Sequence, residues 1–187
     1  RIKAGIPQDA FLITFVGRLV QVKNLPAILE AFEAVHLKAP QARLLAVGQG
    51  PLLAWLSQEL SQRGLSKAAS LQSHVPHENI SGIMAMSDVC VMPSHYEGFG
   101  IAALEAQAAG CPVVVSRIEE TQEIFLQGTA LFCDSQKPGT LAEAILQVMQ
   151  DPSLRQRLAQ GGLDNARRFE KLFWDAEEVK AYQKLVP

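Results

Sequence analysis

Short, continuous apolar runs alternate with segments whose apolar residues recur at helical spacing. This alternation limits the fold more than any other feature of the chain. "FLITFVG" (11–17) reads as a strand, and "LPAILEAFEAV" (25–35) follows with Leu25, Ile28, Leu29, Phe32 and Val35 on one helical face. "ARLLAVG" is the second strand. "PLLAWLSQELSQRG" (51–64) reads as a helix with Pro51 in its first turn and Gly64 as its stop. "ASLQS", "VCVMP", "PVVVS" and "ALFCD" supply four more strands, the first of them weak. Helical patterns fall at 78–87, after the "EGFG" turn up to Gly110, and around Glu120 to Leu126. Three more close the chain, roughly at 140–150, 153–169 and 172–185. Strands that are apolar throughout, each followed by a helix, predict a parallel sheet covered on both faces. The expected fold is a Rossmann-like, doubly wound α/β domain of about six strands, and such sheets bind ligands at the carboxyl ends of their strands.

The 187 residues suffice for one domain with a core, and 48% hydrophobic against 19% charged residues excludes a disordered chain. A net charge of −2 gives no support for a nucleic-acid footprint. No apolar run approaches the roughly 18 residues of a membrane span, and no signal peptide is visible in a chain that begins at Arg1. Three cysteines without close pairing point to buried thiols in a reducing compartment rather than to a disulfide framework.

In this architecture the residues after four strands share one rim. Gly17 and Arg18 follow the first, with Lys23 and Asn24 opening the next helix. "GQGP" follows the second, "SHYEGFG" a later one, and "RIEETQE" the strand after that. Arg18, Lys23, Glu97 and Glu105 are expected to converge on one crevice there. For a ligand carrying a diphosphate, Arg18 offers a planar fork and Lys23 a mobile point charge. Gly98 and Gly100 allow close backbone approach at a helix N-terminus, which favours negative charge. Glu105, further along that helix, suits paired ribose hydroxyls, and Glu97, on the loop, faces whatever lies beyond the phosphates.

This constellation resembles the group 1 family of retaining glycosyltransferases, which have the GT-B fold. "EGFGIAALEA" carries the family's glutamate pair as Glu97 and Glu105, and "GCPVV" follows at the expected distance. "VGRLVQVKN" is similar to its Gly-Arg…Lys segment, and "VGQGP" to its second glycine turn. "FWDAEEVKAYQKL" resembles its terminal helix through Trp174 and Tyr182.

The resemblance covers nearly the whole chain. It implies a single nucleotide-sugar-binding domain over 1–187, with a core over about 1–170 and a terminal helix over 171–187. The N-terminal acceptor domain would lie outside this chain. It further implies that Arg18 and Lys23 hold the diphosphate and steady the departing nucleotide, and that Glu97 contacts the transferred sugar. Glu105 would hold the ribose. Gly17 and the amides of Gly98, Phe99 and Gly100 would complete the donor site, with the backbone at Val75 reading the base. The reaction implied is hexose transfer from a nucleotide-diphosphate sugar with retention, with that sugar as donor substrate and no metal or other cofactor. The acceptor would be a glycan, lipid or small molecule held by the missing domain, so this chain alone would be inactive. The full-length enzyme would be cytoplasmic and peripheral at the inner membrane face.

The loop after "PVVVS" departs from the family, with Glu119 and Glu120 ahead of Glu123, which aligns with the family glutamate. Three other functions compete. A dinucleotide-binding oxidoreductase domain would need a third glycine and a later acid, and "GQGPLL" lacks both. A non-catalytic nucleotide-sugar-binding module would keep the donor residues, and an inverting transferase would share the architecture. Taken singly, Arg18 and Lys23 read as solvated loop charges and Glu105 as a helix-boundary residue. His36, His77 and His95 read as surface or packing residues, with His95 close enough for a donor contact.

Overall fold

In the computed structural model, residue 1 and residues 6–170 are described. Six parallel strands form one sheet in the order β3-β2-β1-β4-β5-β6: β1 (Phe11–Val16), β2 (Ala42–Val47), β3 (Ala69–Gln72), β4 (Val89–Met92), β5 (Val113–Ser116) and β6 (Leu131–Cys133). The helices are α1 (Leu25–Lys38), α2 (Leu53–Gln62), α3 (His77–Met86), α4 (Ile101–Ala108), α5 (Glu119–Ile124), α6 (Pro138–Gln150) and α7 (Pro152–Arg167). This is the doubly wound Rossmann-like architecture expected from the alternation. The strand order reverses between β1 and β4, and loops at such a reversal splay apart to leave a crevice.

The pleat of β1 divides the core. Phe11, Ile13 and Phe15 join Leu29, Phe32, Leu56 and Ile145 on the face covered by α1, α2 and α6, to which α7 adds Leu158. Leu12, one step out of phase, joins Met84, Leu104, Val113 and Phe125 on the face covered by α3, α4 and α5. Each large side chain buried this fully contributes about 1.5–3 kcal/mol. All three cysteines are free and buried.

Element boundaries moved where tertiary contacts overrule local preference. Pro51 lies in a turn ahead of α2 rather than inside it, because the Leu52 N–H donates to the Leu19 carbonyl and ties this turn to the loop after β1. Helix α5 ends at Ile124, since Phe125 turns extended to bury its ring, leaving it 1% exposed. The terminal helix, with Trp174 and Tyr182, lies outside the described residues.

α7 is fixed against α4 by polar groups. Asn165 Nδ2 donates to Gln107 Oε1 (2.8 Å) and to the Ile124 carbonyl (3.1 Å), and Gln107 Nε2 donates to the Thr129 carbonyl (2.8 Å). Both side chains are buried, so each bond satisfies a group that would otherwise carry a desolvation penalty.

Candidate functional site

The loops after β1 and β2 approach each other backbone to backbone. Gly17 N–H donates to the Val47 carbonyl (2.9 Å), and Leu19 N–H to the Gln49 carbonyl (2.7 Å). A Cβ on Gly48, at φ +145°, would stand 1.9 Å from the Gly17 carbonyl oxygen, so only glycine fits. A 3-10 turn, Gln21–Lys23, then leads to Asn24, which holds a left-handed φ of 55° while 6% exposed. Its Nδ2 donates to the Pro93 carbonyl (3.1 Å) and to the Ser135 carbonyl (2.9 Å). His95 N–H donates to the Val22 carbonyl (2.9 Å). The chain after β1 is thereby fastened to the loops after β4 and β6. Beside Ser135, the backbone N–H of Gln136 and, secondarily, the Lys137 ammonium hold the Asp134 carboxyl below the usual carboxylate range.

That fastening aims Lys23 at the β4 loop. Its Nζ lies 2.6 Å from Glu97 Oε1, and Ser94 Oγ donates to the same oxygen at 2.7 Å. Glu97 is 7% exposed, a costly place for a carboxylate unless cations and donors compensate, as these two do. Lys23, Met92, Glu97, Phe99, Gly100 and Ile101 line a depression of about 220 Å³. Gly100, at φ 71°, caps α4, so the positive end of that helix opens here. Gly98 and Phe99 are exposed beside it.

Arg18 is exposed and has no side-chain hydrogen bond or ion pair among the described residues. With Gly17, Gly48, Gly50, His74 and Val75 it lines an open depression of about 700 Å³. Glu105 lines a third, of about 340 Å³, with His77 and Ile80. Ile80 also borders the Arg18 depression, so these two adjoin. Arg18, Glu105 and the Lys23–Glu97 pair thus lie along one rim, in three depressions of which the first two adjoin. Glu105 sits about 6 Å down α4 from its first residue at 1.5 Å per residue. There it meets α3, with Oε1 3.9 Å from His77 Nε2.

Two contributors went unassigned at the sequence level, the amide of Asn24 and the hydroxyl of Ser94, while His77, read as a surface or packing residue, is exposed beside Glu105. Only Asn24 carried a local signal, an asparagine just ahead of a Leu-Pro helix start. His95, read as a packing residue or a donor contact, has Nδ1 3.4 Å from Gln136 Nε2 at the rim. Glu119 and Glu120 lie in the first turn of α5, where acids favour the helix N-terminus.

Among the described residues, no three of His, Cys, Asp and Glu gather as a metal set, and no helix is long and apolar enough to cross a membrane. The arrangement suits a ligand with an anionic part and a hydroxylated part. Cations and a helix start meet the first, and the fixed Glu97 and the more exposed Glu105 can accept hydrogen bonds from the second.

A model of the family described as Glycosyl transferases group 1 matches residues 1–164. The chain is 34% identical over 190 residues to a D-inositol 3-phosphate glycosyltransferase of Corynebacterium urealyticum, an alignment covering 97% of this chain and 45% of that protein. It spans between about a third and a half of the length of such curated relatives, 36% to 47% in three of them. Among solved structures, the C-terminal domain of the group 1 family glycosyltransferase LpcC from Francisella tularensis superposes with a TM-score of 0.80 at 26% identity. That match covers 89% of this chain and 88% of the other. Anabaena HepE, solved with UDP and glucose, superposes with a TM-score of 0.88 at 20% identity, over 98% of this chain and 51% of its own.

Proposed function

The chain belongs to the group 1 glycosyltransferases, and from that premise we propose that it is the donor-binding part of a retaining hexosyltransferase that uses a nucleotide-diphosphate sugar. The observation that carries this reading is the Lys23–Glu97–Ser94 cluster beside the start of α4. A cation and a helix N-terminus favour a diphosphate, and the fixed carboxylate beside them can accept from a sugar hydroxyl, which supports this reading. HepE, with the same fold, has been solved with UDP and glucose, which is consistent with this use of the rim.

In this reading Arg18 and Lys23 bind the diphosphate. The bond between the anomeric carbon and the distal phosphate oxygen breaks, its electron pair stays on that oxygen, and the acceptor hydroxyl forms the new bond on the same face and passes its proton to the departing diphosphate oxygen. The cations and the α4 terminus, with the amides of Gly98, Phe99 and Gly100, stabilise the charge that develops on the leaving group, a role that calls on no metal. Glu105 accepts from the ribose hydroxyls, and the Gly17 and Val75 backbone lines the nucleoside side. Glu97 orients the sugar rather than attacking it. A retaining glycosidase needs two carboxylates about 5 Å apart across one bond, and here Glu105 belongs to a different depression. The acceptor and the second wall of the cleft would come from a further domain, which leaves this chain competent to bind donor and unable to turn it over.

Calorimetry with uridine, guanosine and adenosine diphosphates, their glucose conjugates and the bare nucleosides tests the proposal. One diphosphate series should bind, and Arg18→Ala should weaken its members about tenfold while sparing the nucleoside, since an Arg–phosphate contact is a charge-assisted hydrogen bond. Equal losses for both would remove Arg18 from the phosphate, and silence at millimolar concentrations across all three series would end the donor reading.

A further inference from the structure

We infer that Ser94 is a positioning residue for Glu97, selecting which carboxylate oxygen is offered to the sugar. The inference rests on the reading of Glu97 as the sugar-facing acid.

Both donors to Glu97 meet the same atom. Lys23 Nζ and Ser94 Oγ converge on Oε1 at 2.6 and 2.7 Å. An ionised carboxylate only accepts, so the Ser94 hydroxyl must donate. No protein donor reaches Oε2 among the described residues. Nor does any buried side-chain oxygen among them lack a partner, so Oε2 belongs to the accessible side of this nearly buried group. One oxygen is anchored and the other is left open to accept.

Lys23 alone cannot impose this. Its ammonium ends a flexible stem and serves either oxygen equally well. Ser94 is fully buried, and its backbone is itself held. The Ser116 hydroxyl at the end of β5 donates to the Ser94 carbonyl, and the Thr121 hydroxyl in α5 donates to the Ser116 carbonyl. Three hydroxyls, every one buried, therefore point in sequence from α5 to Glu97. An ordered chain of this kind holds an acceptor within the narrow geometry that orientation of a reacting sugar requires.

The test uses Ser94→Ala and Ser94→Thr, each with Glu97 intact and in a Glu97→Ala background. UDP and UDP-glucose, or the diphosphate pair that the chain proves to bind, are titrated by calorimetry. Ser94→Ala should leave the diphosphate within about twofold of wild type and weaken the sugar conjugate about tenfold, the scale of one hydrogen bond to a charged group. Ser94→Thr, which keeps the hydroxyl, should restore at least half of the loss. In the Glu97→Ala background, which leaves Ser94 nothing to orient, Ser94→Ala should add no further sugar-specific loss.

An equal loss for both ligands, or an undiminished sugar-specific loss in the Glu97→Ala background, would make Ser94 a merely structural residue. An alanine variant that retains full discrimination would overturn the inference just as well. Thermal unfolding of every variant separates these outcomes from misfolding. If the wild-type chain binds no diphosphate, the donor reading fails first and takes this inference with it, a result read before any variant is made.

Discussion

Replacing Glu97 by glutamine separates two uses of Lys23 that the wild-type chain superimposes. The Nζ–Oε1 contact of 2.6 Å joins side chains that are 19% and 9% exposed. At an effective dielectric of 20 and a separation of about 3 Å, the gross attraction is about 5 kcal/mol. Desolvation of both ions cancels most of that, and glutamine keeps an acceptor for Lys23 and Ser94, so the net stability loss should be about 1–2 kcal/mol. For a chain of this size that lowers the unfolding midpoint by about 3–6 °C. Binding should move the other way. In the proposed donor mode, a diphosphate competes with Glu97 for the ammonium and approaches a buried negative charge. Glu97→Gln removes both penalties, so the free nucleoside diphosphate should bind about three- to tenfold more tightly, while the sugar conjugate gains less or loses affinity. Calorimetry on both ligands, with a melt on the same sample, reads all three quantities. A variant that unfolds as expected yet binds the diphosphate more weakly would refute the competition: Lys23 would then need Glu97 to hold it in place for phosphate.

Two further outcomes test the frame around the site. Gly48→Ala puts a Cβ 1.9 Å from the Gly17 carbonyl oxygen, so the loops after β1 and β2 must part; a loss of at least about 3 kcal/mol and a midpoint drop of about 10 °C are expected. Gly64→Ala, at φ +71° with open space around it, is the control and should cost about 1 kcal/mol. Burial pushes the Cys90 and Cys133 thiols up to about 12, and Cys111 is raised further by burial with the neighbouring Cys90 and Asp88. The folded chain therefore keeps protons that the unfolded chain releases near its ordinary thiol pKa of about 8.5. Stability present below that pH should decline as the pH rises through 9 toward 12. A thiol reagent at pH 8 should label none of the three until denaturant is added, and rapid labelling of the native chain would contradict their burial.

The sheet was legible because its inner strands are buried and mostly apolar on both faces, the edge strand β3 being the weak one. Phe11, Ile13 and Phe15 serve one layer and Leu12 the other, so no alternation obscures β1. The rim residues were legible for the same reason: once strand ends are known, Arg18, Lys23 and Glu97 have to lie near them. Hydrogen-bond partners were not legible. Nothing local tells that the Asn24 amide reaches Pro93 and Ser135, or that Ser94 meets the acid three residues later rather than capping α4. The partition of the rim was hidden as well, since it depends on how far α4 carries Glu105 toward α3. Phe125 shows tertiary burial winning over helix continuation, a contest that a one-dimensional pattern cannot score.

The Asn24 amide has a practical consequence. Because it clasps Pro93 and Ser135 from a residue adjoining Lys23, a change in the stretch 134–137 would be transmitted to the ammonium without touching it. A library meant to alter donor preference should therefore randomise that remote turn alongside the obvious contacts. Under the proposed donor reading, specificity would be retuned from behind, by shifting the mounting rather than the fingers.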